Sequence, residues 1–176
     1  MSTSTVEASL RNRLLVSVRV VGLVVLLTYV LTTCHDTRSE WFYPSLADAE
    51  KDGAIDRHWL PDFLPGSSHT IRVVGDLSPA RTWCAFEFQP SDTDRLLKNA
   101  KKVDVLDPSV SSVPDPDEKW WPAILKGNLD VGKIQKAGFR LYTVETPETS
   151  VTTTIWLLAI DVSNGRGFFF NRSKEN

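Results

Sequence analysis

The strongest fold signal in the chain is the stretch IWLLAIDVSNGRGFFFN, residues 155–171. Two apolar runs flank Asn164-Gly165, a dipeptide that readily adopts the two positive φ angles of a type I′ turn. We therefore predict a β-hairpin with strands over 155–162 and 166–171, the first reaching back to residue 151. A two-residue turn places Ile160 opposite Phe169 and Val162 opposite Gly167. One face of the first strand then carries an apolar row, formed by Trp156, Leu158, Ile160 and Val162.

Working outward, three further strands are predicted over residues 70–75, 82–89 and 139–145, and residues 82–89 alternate in apolar character. Ser45 and Asp48 form a capping-box pattern for a helix over 46–52 that ends at Gly53. Ser91 begins a second helix, of roughly ten residues. The pattern predicts an α+β domain: an antiparallel sheet of about five strands, with two or three short helices on one face.

Composition excludes several classes of protein. The chain has 176 residues, a formal net charge of −2, 41% hydrophobic residues and two cysteines. It is too apolar to be mainly disordered and too poor in cysteine for a disulfide-stapled miniprotein. Because it lacks a basic excess, we expect no nucleic-acid partner.

An apolar segment, residues 14–33, precedes the predicted domain. Residues 14–31 contain thirteen Leu or Val, which favour membrane insertion by about 6 kcal/mol against a cost of about 3 kcal/mol for an arginine at mid-bilayer. Arg19 lies near the N-terminal end, where its side chain can reach the headgroups. With Arg11 and Arg13 on the same side, the positive-inside rule predicts a single-pass protein of the cell membrane, with its N-terminus in the cytoplasm. The lipid bilayer is thus its first expected partner.

This interpretation divides the chain into four parts: a cytoplasmic tail over 1–13, the transmembrane anchor or signal segment over 14–33, a linker over 34–43 and an extracytoplasmic domain over 44–176. One alternative is a cleaved bacterial lipoprotein signal. Residues 31–34 resemble a lipoprotein cleavage box with Cys34 as the lipidation candidate, although Thr33 stands where such boxes usually have Gly, Ala or Ser.

Catalytic and metal-binding patterns are weak. Residues 48–59 approach an EF-hand loop, but Trp59 occupies the position of the bidentate Glu. The three histidines lack metal-ligand spacing, so we predict neither a metal site nor a cofactor. Two candidate catalytic groupings are Asp56, His58 and Asp62 as acid and base, and Cys84 as a nucleophile. Solvated loop acids and a small buried cysteine explain the same residues.

Tryptophan is the more informative residue type for binding. Trp59 and Phe63 lie in a segment with two prolines, and Trp120-Trp121 precedes another proline. Exposed aromatic side chains of this kind form sugar- or peptide-binding platforms. The alternative is that these side chains anchor loops to the core.

The segment from Tyr43 to Ile71 resembles one found in small uncharacterised bacterial proteins that are membrane-anchored or lipoprotein-like. The resemblance rests on Trp59-Leu-Pro-x-x-Leu-Pro65 after a short helix, with further similarity around residues 83–88. Relatives often have Gly at the position of His58, which argues against a shared catalytic histidine. The resemblance implies a location and a fold but no site residues.

Taken together, these observations predict a membrane-anchored extracytoplasmic protein that acts as a non-enzymatic binding or accessory module for a protein of the bacterial envelope. The alternative is an extracytoplasmic hydrolase using Asp56, His58 and Asp62, or Cys84. The two hypotheses differ in geometry, because a hydrolase requires its catalytic side chains to converge in one concave site.

Overall fold

The structure is a computed structural model and describes residues 38–77, 80–108, 111–147 and 152–175. The predicted tail over 1–13, the apolar segment over 14–33 and Cys34 lie outside the described residues. Among the described helices, none combines the length and the hydropathy that a membrane span requires.

A large antiparallel sheet of seven strands dominates the described chain, in the order β1-β2-β3-β9-β8-β7-β4. All five predicted strands are present, and two edge strands are added. A separate ribbon pairs β5 with β6. The strands are β1 Arg38–Ser45, β2 His69–Leu77, β3 Ala80–Glu87, β4 Lys101–Lys102, β5 Ser112–Val113, β6 Gly127–Asn128, β7 Arg140–Pro147, β8 Thr152–Asp161 and β9 Arg166–Glu175.

Strand β1 occupies residues that we expected to form a linker. It pairs along most of its length with β2, with Trp41 opposite Val73 and Phe42 opposite Arg72. Trp41 packs against the core while Phe42 is 56% exposed, so the strand alternates as an edge strand should. Pro44 near its end is tolerated because an edge strand leaves one side of its backbone unpaired.

The 155–171 hairpin forms, but its register differs from the predicted one by two residues. Asp161 pairs with Arg166, and Ile160 pairs with Gly167. The loop therefore has four residues, with a 3-10 turn over Val162–Asn164 and Gly165 at φ +59°. The side chain of Asp161 favours this longer loop, since it accepts hydrogen bonds from the backbone and side-chain nitrogens of Asn164. A shift of two residues preserves the predicted apolar face, because side chains alternate with a period of two.

Both faces of the sheet are covered, which corrects the expectation that helices lie on one face only. Leu158 and Ile160 belong to a core cluster with residues of α1 and α2, whereas Leu157 and Ala159 belong to a second cluster with Ile134 of α3. The helices are α1 Leu46–Lys51, α2 Thr93–Leu96 and α3 Val131–Lys136, with 3-10 turns at Pro90–Asp92 and Ala123–Leu125.

The helix boundaries follow local chemistry. Ser45 caps α1 by accepting a hydrogen bond from the Asp48 backbone N–H, and Gly53 follows the helix at φ +75°, so the predicted first helix is confirmed to within a residue. The predicted ten-residue helix from Ser91 is instead the turn Pro90–Asp92 followed by the four residues of α2.

Residues 52–68, here called the covering segment, connect α1 to β2 without regular secondary structure. Leu60 and Leu64 are buried in the first core cluster, which fixes the segment over one face of the sheet. His58 has φ +57°, a left-handed conformation that Gly adopts with less strain. The segment therefore covers part of this face, and it begins with a row of turns over residues 52–58 that Trp59 directly follows.

Candidate functional site

The sheet face beneath the covering segment changes from apolar to polar along its strands. Val73, Cys84 and Phe169 lie on the apolar part, inside the first core cluster. Two residues away on each strand, the same face carries Gly75, Thr82 and Asn171, which are paired with one another across β2, β3 and β9. The period of two in a strand keeps these side chains on one face. The apolar core thus ends against a polar row.

A groove of about 580 Å³ opens above this polar row. We call it the tryptophan groove. Its volume lies within the range of small-ligand sites, about 300–1,000 Å³. Its wall, rim and floor come from five strands and the covering segment. Its lining residues are Ser39, Trp41, Arg57, His58, Trp59, Gly75, Asp76, Leu77, Ala80, Arg81, Thr82, Thr154 and Asn171.

Stacked side chains form one wall of the groove. The rings of Trp41 and Trp59 have centroids 4.0 Å apart and an interplanar angle of 31°. The guanidinium carbon of Arg57 lies 4.0 Å from the centroid of the Trp59 ring, a cation–π geometry. A Cβ placed on Gly75 would lie 3.1 Å from Trp41 Cζ3, so the absence of a side chain lets the indole approach the sheet.

The charge of this wall is balanced. Arg57 Nη2 lies 2.7 Å from Asp52 Oδ2, and the Tyr43 hydroxyl donates to the same carboxylate at 2.8 Å. Burial, together with the hydrogen bond to Asp52, raises the pKa of Tyr43 to about 12. Tyr43 is therefore a neutral donor at physiological pH, and Arg57 is held in place with its charge compensated.

The floor of the groove contains buried polar side chains. Thr82 is 8% exposed and Asn171 is 9% exposed, and the two oppose each other across β3 and β9. Ser68 Oγ is the one buried side-chain polar atom without a hydrogen-bond partner among the described residues, so the polar atoms of Thr82 and Asn171 are not sealed inside the fold. Both side chains line the open groove, where water can take the place of a protein partner. An amide and a hydroxyl at the bottom of an open groove are therefore available to a ligand.

A second cavity, of about 470 Å³, lies on the other side of His58. Asp56, His58 and Asp62 all line it, so the structure brings together the three predicted acid–base candidates. Among the described residues, no hydrogen bond or ion pair joins these three side chains. Thr146 and Trp156 also line this cavity, and the Trp156 Nε1–H donates a hydrogen bond to the Thr146 hydroxyl at 2.6 Å.

Cys84, the other catalytic candidate, lies in the core at 0% exposure. Burial raises the pKa of its thiol well above the ordinary value. A nucleophilic cysteine needs a thiolate in an accessible, electropositive environment. Cys84 therefore acts as a small core residue beside Phe86 and Phe169.

The four predicted binding residues occupy three different places. Trp59 is part of the groove wall, and Phe63 packs edge-on against Trp156 with centroids 6.1 Å apart. Trp120 and Trp121 belong to the second core cluster, on the opposite face of the sheet. Trp121 is 4% exposed, and its Nε1–H donates to the Leu125 carbonyl. Trp59 and the Trp120-Trp121 pair thus cannot form one common surface.

The EF-hand-like stretch is also accounted for. Asp52 accepts hydrogen bonds from Arg57 and from the Tyr43 hydroxyl. His58, near the end of the 48–59 stretch, lines both cavities. No group of three or more potential metal ligands occurs among the described residues.

Four groove residues were not predicted from the sequence: Trp41, Arg57, Thr82 and Asn171. Trp41 was assigned to a linker and Asn171 to the end of a strand. The alternation along β3 does place Thr82 on the same strand face as Cys84 and Phe86. Its position on the floor of an open groove, however, depends on the neighbouring strands, which that alternation does not reveal.

A comparison with protein families finds that residues 37–87 match the model of the YbbD head domain. The matched region contains β1, α1, the covering segment, β2 and β3, and hence the groove wall and Thr82. Neither the curated proteins nor the solved structures provide a match.

Proposed function

We propose that this protein is a membrane-anchored extracytoplasmic binding module that holds a partner of the bacterial envelope in the tryptophan groove. The YbbD head domain match over residues 37–87 supports an accessory domain of extracytoplasmic type. The observation that carries the binding role is the pair of polar side chains, Thr82 and Asn171, that oppose each other on the groove floor.

The anchoring part of the proposal rests on residues 14–33. Intact-mass measurement of the membrane-extracted protein tests it. An uncleaved anchor gives the mass of all 176 residues, and a lipoprotein gives an acylated chain that begins at Cys34. Recovery of the unprocessed chain from the soluble fraction, without detergent, contradicts both forms of anchoring.

The binding part is tested by photocrosslinking in intact cells. Leu77 lies on the groove rim and is 72% exposed, so benzoylphenylalanine at this position reports on the groove. Val105 is 87% exposed and does not line the groove, which makes it the matched control. We expect an ultraviolet-dependent adduct from position 77 and none from position 105.

The same adduct should weaken when Thr82→Val is added, because that substitution removes a floor hydroxyl and keeps a β-branched side chain of similar shape. Equal adducts at positions 77 and 105, or no adduct at position 77, contradict the binding proposal whatever the partner's chemistry.

The alternative function is a hydrolase at the second cavity. It is favoured by the shared lining of that cavity by Asp56, His58 and Asp62. All three side chains are exposed, and among the described residues no hydrogen bond or ion pair holds them together as an acid–base group. The test is a hydrolytic activity of the purified chain. Loss of that activity in both Asp56→Asn and Asp62→Asn, with the activity kept in Thr82→Val, would support the hydrolase over the binding module.

A further inference from the structure

The groove floor lies on inner strands of the sheet, and this limits the kinds of ligand that it can bind. Thr82 lies on β3 and Asn171 on β9, and each strand is paired on both sides. Their backbone groups are used in the strand ladders, so the floor presents side chains only. Extended peptides that add to a sheet need the free backbone groups of an edge strand. The groove floor does not offer them.

The chemistry of the floor matches hydroxyl groups. A threonine hydroxyl and an asparagine amide each both donate and accept hydrogen bonds. Their ideal partner also does both, and the hydroxyl groups of a sugar ring meet that requirement. Trp41 and Trp59, which also line the groove, supply apolar contact, which a pyranose ring can meet with its C–H groups.

The charges at the groove also favour an uncharged ligand. Arg57 is neutralised by Asp52, and Asp76 and Arg81 place one negative and one positive charge at the rim. A site for phosphate or for a polyanion instead concentrates several uncompensated cations.

From these observations we propose that the tryptophan groove binds a segment of a neutral saccharide chain, with Thr82 and Asn171 hydrogen-bonded to ring hydroxyl groups. This inference rests on the proposed function, because it names the ligand class of the same groove. Adjacent hydroxyl groups on one sugar suit the paired arrangement of Thr82 and Asn171, which are directly opposed across two strands.

Isothermal titration calorimetry of the full chain in detergent micelles tests the proposal. The probes are cellotetraose, maltotetraose and chitotetraose as neutral saccharides, tetragalacturonate as an anionic one, and a neutral pentapeptide of Ala and Gly. We expect at least one neutral tetrasaccharide to bind with a Kd of about 1 mM or tighter, and the anionic probe and the peptide not to bind.

Variants identify the site of binding. Thr82→Val and Asn171→Ala should each weaken the saccharide affinity about tenfold, the effect of losing one hydrogen bond to a buried group. Thr143→Val is the matched control, because Thr143 lies on the other face of the sheet, opposite Leu157. It should leave the affinity unchanged. Near-ultraviolet circular dichroism checks that each variant is folded, and Thr82→Val keeps the test valid if Asn171→Ala is not.

Three results overturn the saccharide proposal: binding of none of the neutral tetrasaccharides, binding of the peptide in preference to them, and binding that Thr82→Val does not weaken. The photocrosslink at position 77 is independent of ligand class. An adduct there without saccharide binding refutes this inference and leaves the proposed function standing, whereas absence of the adduct refutes the proposed function itself.

Discussion

Replacing Gly167 by Ala tests the packing on which the observed hairpin register depends. Gly167 lies on β9, opposite Phe86 of β3 and Ile160 of β8. A Cβ on Gly167 would lie 2.2, 2.5 and 2.8 Å from three carbon atoms of the Phe86 ring. Carbon atoms in contact are about 3.5 Å apart, so the shortest of these distances is about 1.3 Å too small. The ring must move, or the strands must separate.

The expected cost follows from the two ways of relieving this clash. Phe86 is 2% exposed and is surrounded by the rings of Phe88 and Phe169, so its ring has no free space to enter. Local overpacking costs about 1–3 kcal/mol, and complete loss of a buried Phe side chain costs about 3–5 kcal/mol. We expect Gly167→Ala to lower the free energy of unfolding by about 2–4 kcal/mol.

Guanidinium denaturation of the full chain in mild detergent, followed by near-ultraviolet circular dichroism, measures this change. Gly66→Ala is the matched control, because a Cβ at Gly66 meets no atom within 4 Å, and it should be neutral or stabilising by up to about 1 kcal/mol. The double variant Gly167→Ala with Phe86→Leu should lose less free energy of unfolding than the two single variants lose together, because the two residues are in contact. Equal stabilities of Gly167→Ala and Gly66→Ala would refute the register and the packing argument together.

Two further outcomes are expected. Burial alone would raise the pKa of Asp161, but hydrogen bonds from Arg166 and Asn164 hold this pKa below its ordinary value. The ionised carboxylate therefore stabilises the fold at pH values above the unfolded-state pKa of about 4. This stabilisation is lost as the pH falls through the folded-state pKa. The melting temperatures of the wild type and Asp161→Asn should accordingly differ at pH 7 and converge in acid, and a constant difference down to pH 2 would contradict the assignment. His58→Gly should raise the free energy of unfolding by up to about 1 kcal/mol, because Gly adopts the left-handed conformation without the steric strain of a Cβ. A loss of stability would show instead that the His58 side chain holds the covering segment in place.

The hairpin shows which parts of a fold are local enough to predict. The apolar face of β8 was correctly predicted, since it depends only on alternation along one strand. The register was wrong because Asn164-Gly165 favours a two-residue turn, whereas hydrogen bonds from Asn164 to Asp161 lengthen the loop to four residues. Gly165 still occupies the one position of that loop with φ near +60°.

Strand β1 shows what local patterns miss. The sequence of Arg38–Ser45 contains Pro44 and has only Trp41 and Tyr43 to indicate a buried face. Its pairing with β2, whose residues lie 24 to 38 positions further along the chain, makes it a strand. The same long-range pairing places Trp41 against Trp59, so the groove wall could not be predicted while Trp41 was assigned to a linker.

The groove floor is the least predictable feature, because it is set by strand order. Thr82 and Asn171 become neighbours only because β9 lies between β3 and β8. No local pattern in the sequence indicates that strand order. For a related reason, the sequence could not indicate that the predicted aromatic binding residues lie in different places. The sheet has two covered faces, and Trp59 and Trp121 lie on opposite ones.

The polar row on the groove floor has a consequence for stability. Two residues away on each strand the same face is apolar, and valine or leucine at the positions of Thr82 and Asn171 would extend the core instead of placing a hydroxyl and an amide in the groove. Thr82→Val should therefore stabilise the free protein slightly while it weakens ligand binding. A residue whose removal improves folding and impairs binding is typical of a binding site, where function is maintained at some cost in stability. If Thr82→Val instead lowers both the free energy of unfolding and the affinity, the hydroxyl has a partner within the fold, and the central argument for a ligand in the groove is lost.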